Sequence, residues 1–596
     1  MMAYSRPGVY INERLLSDTQ LVTGTANAAG AAIGAFAQGP SSATLVTSWY
    51  DFVKKFGGYN ASFPATFGVG QFFQNGGSEL YVKRVLSSGA AVSSATIKDT
   101  AASPATIVTV TSKNKGADSN NLRAQLIPIR SATATVTGAT ISSTTVTYTA
   151  TNTFSVGDAV IITGCTGGSS GTSFNITGIV ATASGSGFTV TVPVTFTATY
   201  GSGGTAYATG NVYNFVVTKE AGTTDTIVSS VVTAGATDDI ILEQYNNIVI
   251  NSTTSADFLE SVVNLVSDYV SVTVNITTGV PTASIYPLTG GTDSTAPVYS
   301  DYVTAASTGF TTITRPLVMF APELYAKLLL DSDATPSTSL TAVQNAMTTY
   351  AATSNSFAVL DAPAPTTPQT SSQALAYATG LTKTAYGAVY YPNFYIQDPV
   401  GRSTRSLRKV SPSGAVAGAY IATDKAVGPF KVAAGTDTPI KGAISLEVAL
   451  SSSDLDTLNT APSPVNAIRN IPGAGIVVMG GRTLLQDNTS NRFVNMRRSL
   501  NYLRRNLEDV TQFAMFENND ETLWSRLRTV ITASLNVYRN QGGLRGSAST
   551  AFYVKCDTET TTAADVLNGQ VNIEVGVALQ YPAEFVVINL SQLTVN

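Results

Sequence analysis

Between Asn491 and Leu590 the alternation of apolar and polar positions is clearest. Phe493, Met496, Leu500, Leu503, Leu507 and Val510 recur three and four residues apart, which places one apolar stripe on one face of a helix. Asn518, with Glu521 three residues on, predicts the start of a second helix whose Leu523, Leu527, Val530, Ser534 and Tyr538 share a face. Gly542-Gly543 stops it. The pattern then changes to period two: 551–557, 571–579 and 583–590 read as strands bounded by Asn568-Gly569 and Tyr581-Pro582, with Val571, Ile573, Val575, Val577 and Leu579 facing inward. This region is predicted to be α+β.

From the beginning of the chain, Val9 and Ile11 alternate with Tyr10, Asn12 and Glu13 as a short strand with no neighbour in sequence to pair with. Residues 31–37 read as a buried strand. Ser48 with Asp51 forms a capping signal for a short helix carrying Phe52, Val53 and Phe56, stopped by Gly57-Gly58. A helix around Phe67 to Phe73 and a strand at 80–85 complete a strand, helix, strand order that predicts a parallel pair. From 95 to 290 Thr, Ser, Gly and Val alternate as antiparallel β. Residues 131–210 stand out within it, because their one charged residue is Asp158. They read as a β-rich insertion on an exposed loop. Short, continuous apolar runs follow at 316–322, 357–363 and 386–392, with helical stretches around 340–350 and 373–381 between them. Strands of that kind are buried on both faces of a parallel sheet.

Composition narrows the chemistry. The chain of 596 residues is long enough for several domains. Its charged fraction is 12%, against roughly 25% in an ordinary soluble domain, which suits a surface covered in an assembly. A net charge of −4 gives no footprint for nucleic acid, and neither a signal peptide nor a membrane span is expected. Histidine is absent, which excludes Ser-His-Asp and Cys-His nucleophiles and imidazole-ligated zinc. Cys165 and Cys556 are too far apart in sequence for a CxxC site and read as buried thiols, with an intersubunit bond as the alternative. Gly473-Ala474-Gly475 breaks the dinucleotide spacing, and no phosphate-binding GxxxxGK[ST] occurs. Asp361, at a predicted strand end, reads as a cap or loop former, since no histidine can join it. No catalytic residue, cofactor or metal is expected.

Several segments in order carry a family likeness: PGVYINE (7–13), VTSWYDFVKKFGG (46–58), FFQNGGSELYVKRV (72–85), PLTGGTD (287–293), PSGAVAGAYIATDKAVG (412–428) and GAGIVVMGGRTLL (473–485). NMRRSLNYL, FENNDETLW, GGLRGSASTAFYVKCD and LQYPAEFVVINL follow. Together they resemble contractile phage tail sheath proteins. The resemblance implies a multidomain α/β plus β plus α+β fold. Its expected parts are a connecting arm at 1–20, a subtilisin-like parallel-sheet core from 21–94 and 291–470, and a β-rich domain at 95–290 containing the module at 131–210. An α+β C-terminal domain at 471–590 and an arm end at 591–596 complete it.

The same resemblance implies a non-enzymatic structural subunit that polymerises as stacked rings around an inner tail tube and contracts to drive the tube through the host envelope. Baseplate and tail terminator or neck proteins are the further partners, with no nucleic acid and no membrane binding. The expected location is the virion tail, after assembly in the host cytoplasm. Val9, Tyr10, Ile11, Asn12 and Glu13, with Val586, Ile588 and Leu590, become candidate arm strands that join neighbouring copies by strand addition. Arg497, Arg498, Arg504 and Arg505 repeat at seven residues as a basic stripe, which the resemblance turns toward the inner tube. The alternatives are the sheath of a phage-derived injection particle and, resting on residues 131–210, a receptor-binding adhesin. An envelope-degrading hydrolase conflicts with the absent histidine.

Overall fold

The computed structural model describes residues 29–584, except 100–102, 130–131, 168–173, 194, 209–211, 221–238, 251–252, 276–280, 282–283, 294–295, 311–315, 402, 404, 461 and 486–489. The chain divides into two compact units, one of Met1–Phe36, Ser42–Val85 and Pro297–Asn596, the other of Ala37–Ser41 and Leu86–Ala296.

The first unit is organised by an eight-stranded sheet. Its spatial order is Thr44–Val46, Leu80–Arg84, Gly30–Gly34, Val318–Phe320, Phe357–Asp361, Gly387–Tyr391, Asn466–Ile471 and Gly475–Met479. The inner strands pair in parallel, and the first and last are antiparallel edges. Alternate residues enter two separate cores. Ala32, Phe320, Val359 and Tyr390 pack on one face under the helices Ala65–Gln74 and Ser413–Ala426. Ile33, Met319, Leu360 and Tyr391 pack on the other, under Tyr299–Thr308, Pro336–Ser354 and Ser371–Gly380. With helices on both faces, neither set can be polar, which is why these strands read as unbroken apolar runs. Gly475–Met479, which the sequence reading groups with the C-terminal domain, is instead the edge of this sheet. The expected boundary at 471 therefore falls inside a hairpin, whose Gly473 and Gly475 adopt positive φ of 84° and 82°.

On the first face, two helices approach almost backbone to backbone. A Cβ built at Gly414 would lie 2.1 Å from the Gly68 carbonyl oxygen, and one at Gly418 would lie 2.3 Å from that of Phe72. Glycine spaced by four on one helix face is what permits the contact.

The C-terminal part of this unit contains the helices Val494–Thr511 and Glu521–Asn540 and a hairpin of Phe552–Lys555 with Glu574–Val577. Asp520, not Asn518, caps the second helix, its side chain accepting from the Leu523 amide at 2.9 Å. Met496 and Leu503 pack with Ile531, Leu535 and Tyr538, while Leu523, Trp524 and Leu527 form a second cluster with Cys556. The expected Val530 sits at the margin, and Ile531 and Leu535 take the centre.

In the second unit, Leu122–Pro128 and Val212–Glu220 pair antiparallel with Pro128 opposite Tyr213. The chain between them forms a seven-stranded antiparallel sheet in strands from Ala132–Thr135 to Thr205–Ala208, with its own core of Tyr148, Val160, Cys165, Phe174 and Phe188. A third sheet of Ser94–Lys98, Thr106–Ser112 and Val270–Val274 packs with the helix Leu259–Val266 around Ile97, Val110, Leu259 and Val263.

Candidate functional site

Catalytic and binding groups of open parallel sheets gather where strands end, and here two acidic side chains do so. Asp361 ends Phe357–Asp361, and Glu323 follows Val318–Phe320 with a left-handed φ of 55°. Two serines at the start of Ser413–Ala426 face them. Asp361 accepts from the Ser413 amide at 2.7 Å and from its hydroxyl at 2.5 Å. Glu323 accepts from the Ser411 amide and, at 3.0 Å, from the Ser411 hydroxyl. Both carboxyls lie out of solvent. Burial pushes Asp361 up to about 7 against the pull of its serine donors. Burial likewise pushes Glu323 up to about 8, with the Asp361 charge adding to the rise and the Ser411 donors and Arg408 opposing it.

A carboxylate on a serine hydroxyl at a helix N-terminus has the donor and acceptor types of an activated nucleophile. The space beside it has a volume of about 10 Å³, at the lower limit for one water. Ser413 is fully buried. The cluster therefore ties two strand ends to a helix start and offers no room for a substrate. Asp361 was legible as a strand-end cap. Glu323 and Ser413 were not, although Pro412 opening a small-residue helix between Ser411 and Ser413 marks where a carboxylate would be received.

The arginine stripe divides. Arg498 pairs with Asp424 near the end of Ser413–Ala426 and lies 4.4 Å over the Tyr420 ring. Arg505 donates to the carbonyls of Pro316 and Ser354, both at 2.9 Å, and so caps the carbonyl end of Pro336–Ser354. Asn501 adds a bond to the Ser356 carbonyl at 2.8 Å. Arg498 and Arg505 are thus buried within the chain, which corrects the expectation that all four arginines face the inner tube. Residues seven apart return to the same face, and this face is taken by carbonyls and a carboxylate of the sheet unit. Arg497 is half-buried over Tyr386 at 4.6 Å, and Arg504 is exposed.

Val9 to Glu13 and Val586, Ile588 and Leu590 lie outside the described residues. The C-terminal hairpin has two strands, and its outer edges have no ladder partner among the described residues. Cys165 and Cys556 are both buried free thiols, each with its pKa raised by burial.

Residues 486–592 match the family model of the phage tail sheath C-terminal domain. The tail sheath protein of Vibrio phage KVP40 is 30% identical over 162 residues, 27% of this chain and 23% of that protein, so the match spans under a quarter of the relative's length. The crystal structure of a sheath tail protein from Listeria innocua superposes with a TM-score of 0.53 at 12% identity, over 94% of this chain and 98% of that one. The sheath of an extracellular contractile injection system in its contracted state gives a TM-score of 0.47 at 18% identity, over 99% of both chains. The C-terminal residues are thus similar in sequence to the tail sheath C-terminal domain, and over most of its length the chain shares the fold of the Listeria innocua sheath tail protein.

Proposed function

We propose that this chain is a structural subunit of a bacteriophage contractile tail sheath. Copies polymerise as stacked rings around a rigid inner tube, and contraction of the array drives the tube through the host envelope. The observation that carries this reading is the sheath-domain match over 486–592, the same residues that supply two helices and an open-edged hairpin.

Physically, an isolated two-stranded hairpin is marginal, and further strands from a neighbour would complete it. The candidate arms are Val9 to Glu13 and Val586 to Leu590. Heterologous contacts that do not close generate helical arrays, and two packings that differ by a few kcal/mol per subunit store work when summed. Contraction then needs no nucleotide. The parallel-sheet unit is the subtilisin-like core of this reading, and residues 131–210 decorate the outside. Arg497 and Arg504 remain as tube-facing candidates. The inner tube, baseplate and neck proteins are the partners, and the virion tail is the location.

Negative-stain microscopy of the purified full-length protein tests the proposal. Tubes or stacked rings are expected, and a chain that stays monomeric at high concentration counts against it. Deleting residues 1–13 should leave the melting temperature nearly unchanged and abolish tubes; normal assembly of that variant removes the arm from the account.

A further inference from the structure

Two features at opposite ends of the Val494–Thr511 helix are left uncovered by the described residues. At its C-terminal end, the turn into Glu521–Asn540 carries Met515 and Phe516, both exposed, the Phe516 ring fully so. Phe516 also holds a φ of 68°, in the left-handed region that a bulky residue rarely occupies. Neither burial nor backbone preference favours phenylalanine there. Around it, Asp509, Glu517, Asp520 and Glu521 are all exposed, and no lysine or arginine occurs from Asp509 to Ser525. The turn is an apolar knob with an acidic rim, and the next cation along the chain, Arg526, is stacked 4.2 Å over the Phe513 ring.

At the helix's N-terminal end lies a cavity of about 400 Å³, within the roughly 300–1,000 Å³ of ordinary binding pockets. Leu455, Leu458, Val465 and Met479 line it, with Arg469 and Arg482 among its walls. Arg482 is held by Glu584, whereas the Arg469 guanidinium has no ion-pair partner among the described residues. The Val494 amide donates to the Gly481 carbonyl at 2.9 Å, which fixes the cavity wall to the start of the helix. A helix of 18 residues is about 27 Å long, so knob and recess cannot meet within one chain.

We propose that Met515 and Phe516 of one copy enter the Leu455, Val465 and Met479 recess of the next, with the acidic rim of the knob facing Arg469. The contact is heterologous, so repeated without closure it builds a filament. It deepens the sheath reading and rests on it, by naming a side-chain contact between copies that does not involve the terminal arms.

The test uses the full-length chain under conditions in which it forms tubes. A photo-crosslinking amino acid placed at Met479 is expected to capture the 515–516 turn of another copy, identified by mass spectrometry. Capture only of residues beyond Glu584, or of a different protein, overturns the proposal. Phe516→Gly relieves the backbone conformation, so its melting temperature should equal or exceed the wild type while the critical concentration for assembly rises about ten- to a hundred-fold. Arg469→Glu should weaken assembly in the same direction, and Glu517→Lys should restore part of the loss. If Phe516→Gly assembles at the wild-type concentration, this contact is wrong and the sheath reading stands. If the wild-type chain forms no tubes, both fall.

Discussion

Arg498 and Asp424 form an ion pair whose side chains are only 4% and 7% exposed, joining the Val494–Thr511 helix to Ser413–Ala426 beneath the sheet. Burial raises the Asp424 pKa, and Arg498 opposes that rise. Breaking such a pair from one side leaves a charge buried without its partner. Asp424→Leu or Arg498→Met alone should cost about 3–5 kcal/mol, while the double replacement should recover much of the loss. Chemical unfolding of the three variants, followed by Trp524 fluorescence, checks this. Equal, additive losses would show that the two side chains act independently.

The pair also shows where sequence reading reaches its limit. Strand runs, the Ser48 cap and the apolar stripe through Met496 and Leu503 follow from local periodicity, and the structure contains each of them. The opposite face of the same helix carries the polar side chains Asn495, Arg498, Asn501 and Arg505, which no local pattern marks for burial. It is buried because carbonyls of Pro316, Ser354, Ser356 and Phe430 and the Asp424 carboxylate receive its donors. Those acceptors come from 65 to 189 residues away, beyond any local pattern. The Glu323 and Asp361 cluster was hidden for the same reason: its serines are supplied from 88 and 52 residues away.

The glycine contact between Ala65–Gln74 and Ser413–Ala426 predicts a sharp contrast. In Gly414→Ala and Gly418→Ala the new methyl meets backbone oxygen, which no rotamer change can relieve. Each should destabilise by about 1–3 kcal/mol or more. Gly380, at the end of Ser371–Gly380, has nothing within 4 Å of its virtual Cβ, and Gly380→Ala should be neutral or stabilising by about 0.4–1 kcal/mol. Thermal melts of the three variants decide it, and similar behaviour of all three would refute the close approach.

The buried carboxyls predict the sign of a pH effect. Asp361 and Glu323 titrate at about 7 and about 8 in the folded chain, above ordinary carboxyl values of roughly 4. The folded state therefore holds their protons more tightly than the unfolded state. Their contribution is fully present below about pH 4 and is lost as pH rises through 7 and 8. Asp398 acts in the opposite sense: its bonds from Arg408 lower its pKa, so its contribution is lost on acidification. Stability should therefore decline between about pH 4 and pH 8, by on the order of a few kcal/mol, and level off above that. Glu323→Gln, which keeps an acceptor for Ser411, should flatten that decline. Melting temperatures across the range test it, and an unchanged slope in the variant would remove Glu323 as the source.

The seven-stranded module predicts what can be removed without harm to the rest of the chain. Its flanking strands are neighbours in one sheet, with Pro128 opposite Tyr213 and the Ile129 amide donating to the Val212 carbonyl at 2.9 Å. Its core residues, Tyr148, Val160, Phe174 and Phe188 among them, form a cluster composed wholly of residues from 134 to 208. The chain therefore enters and leaves through one hydrogen-bonded ladder, and a short turn can replace what lies between. Replacing residues 131–208 with a brief Gly-Ser linker should preserve the melting transition of the remaining chain, because closing a short loop there costs little entropy. On the sheath reading the shortened chain should also polymerise and contract as before, since the module is proposed to lie outside the array. Soluble, folded protein that no longer forms tubes would instead place residues 131–208 in a contact between copies.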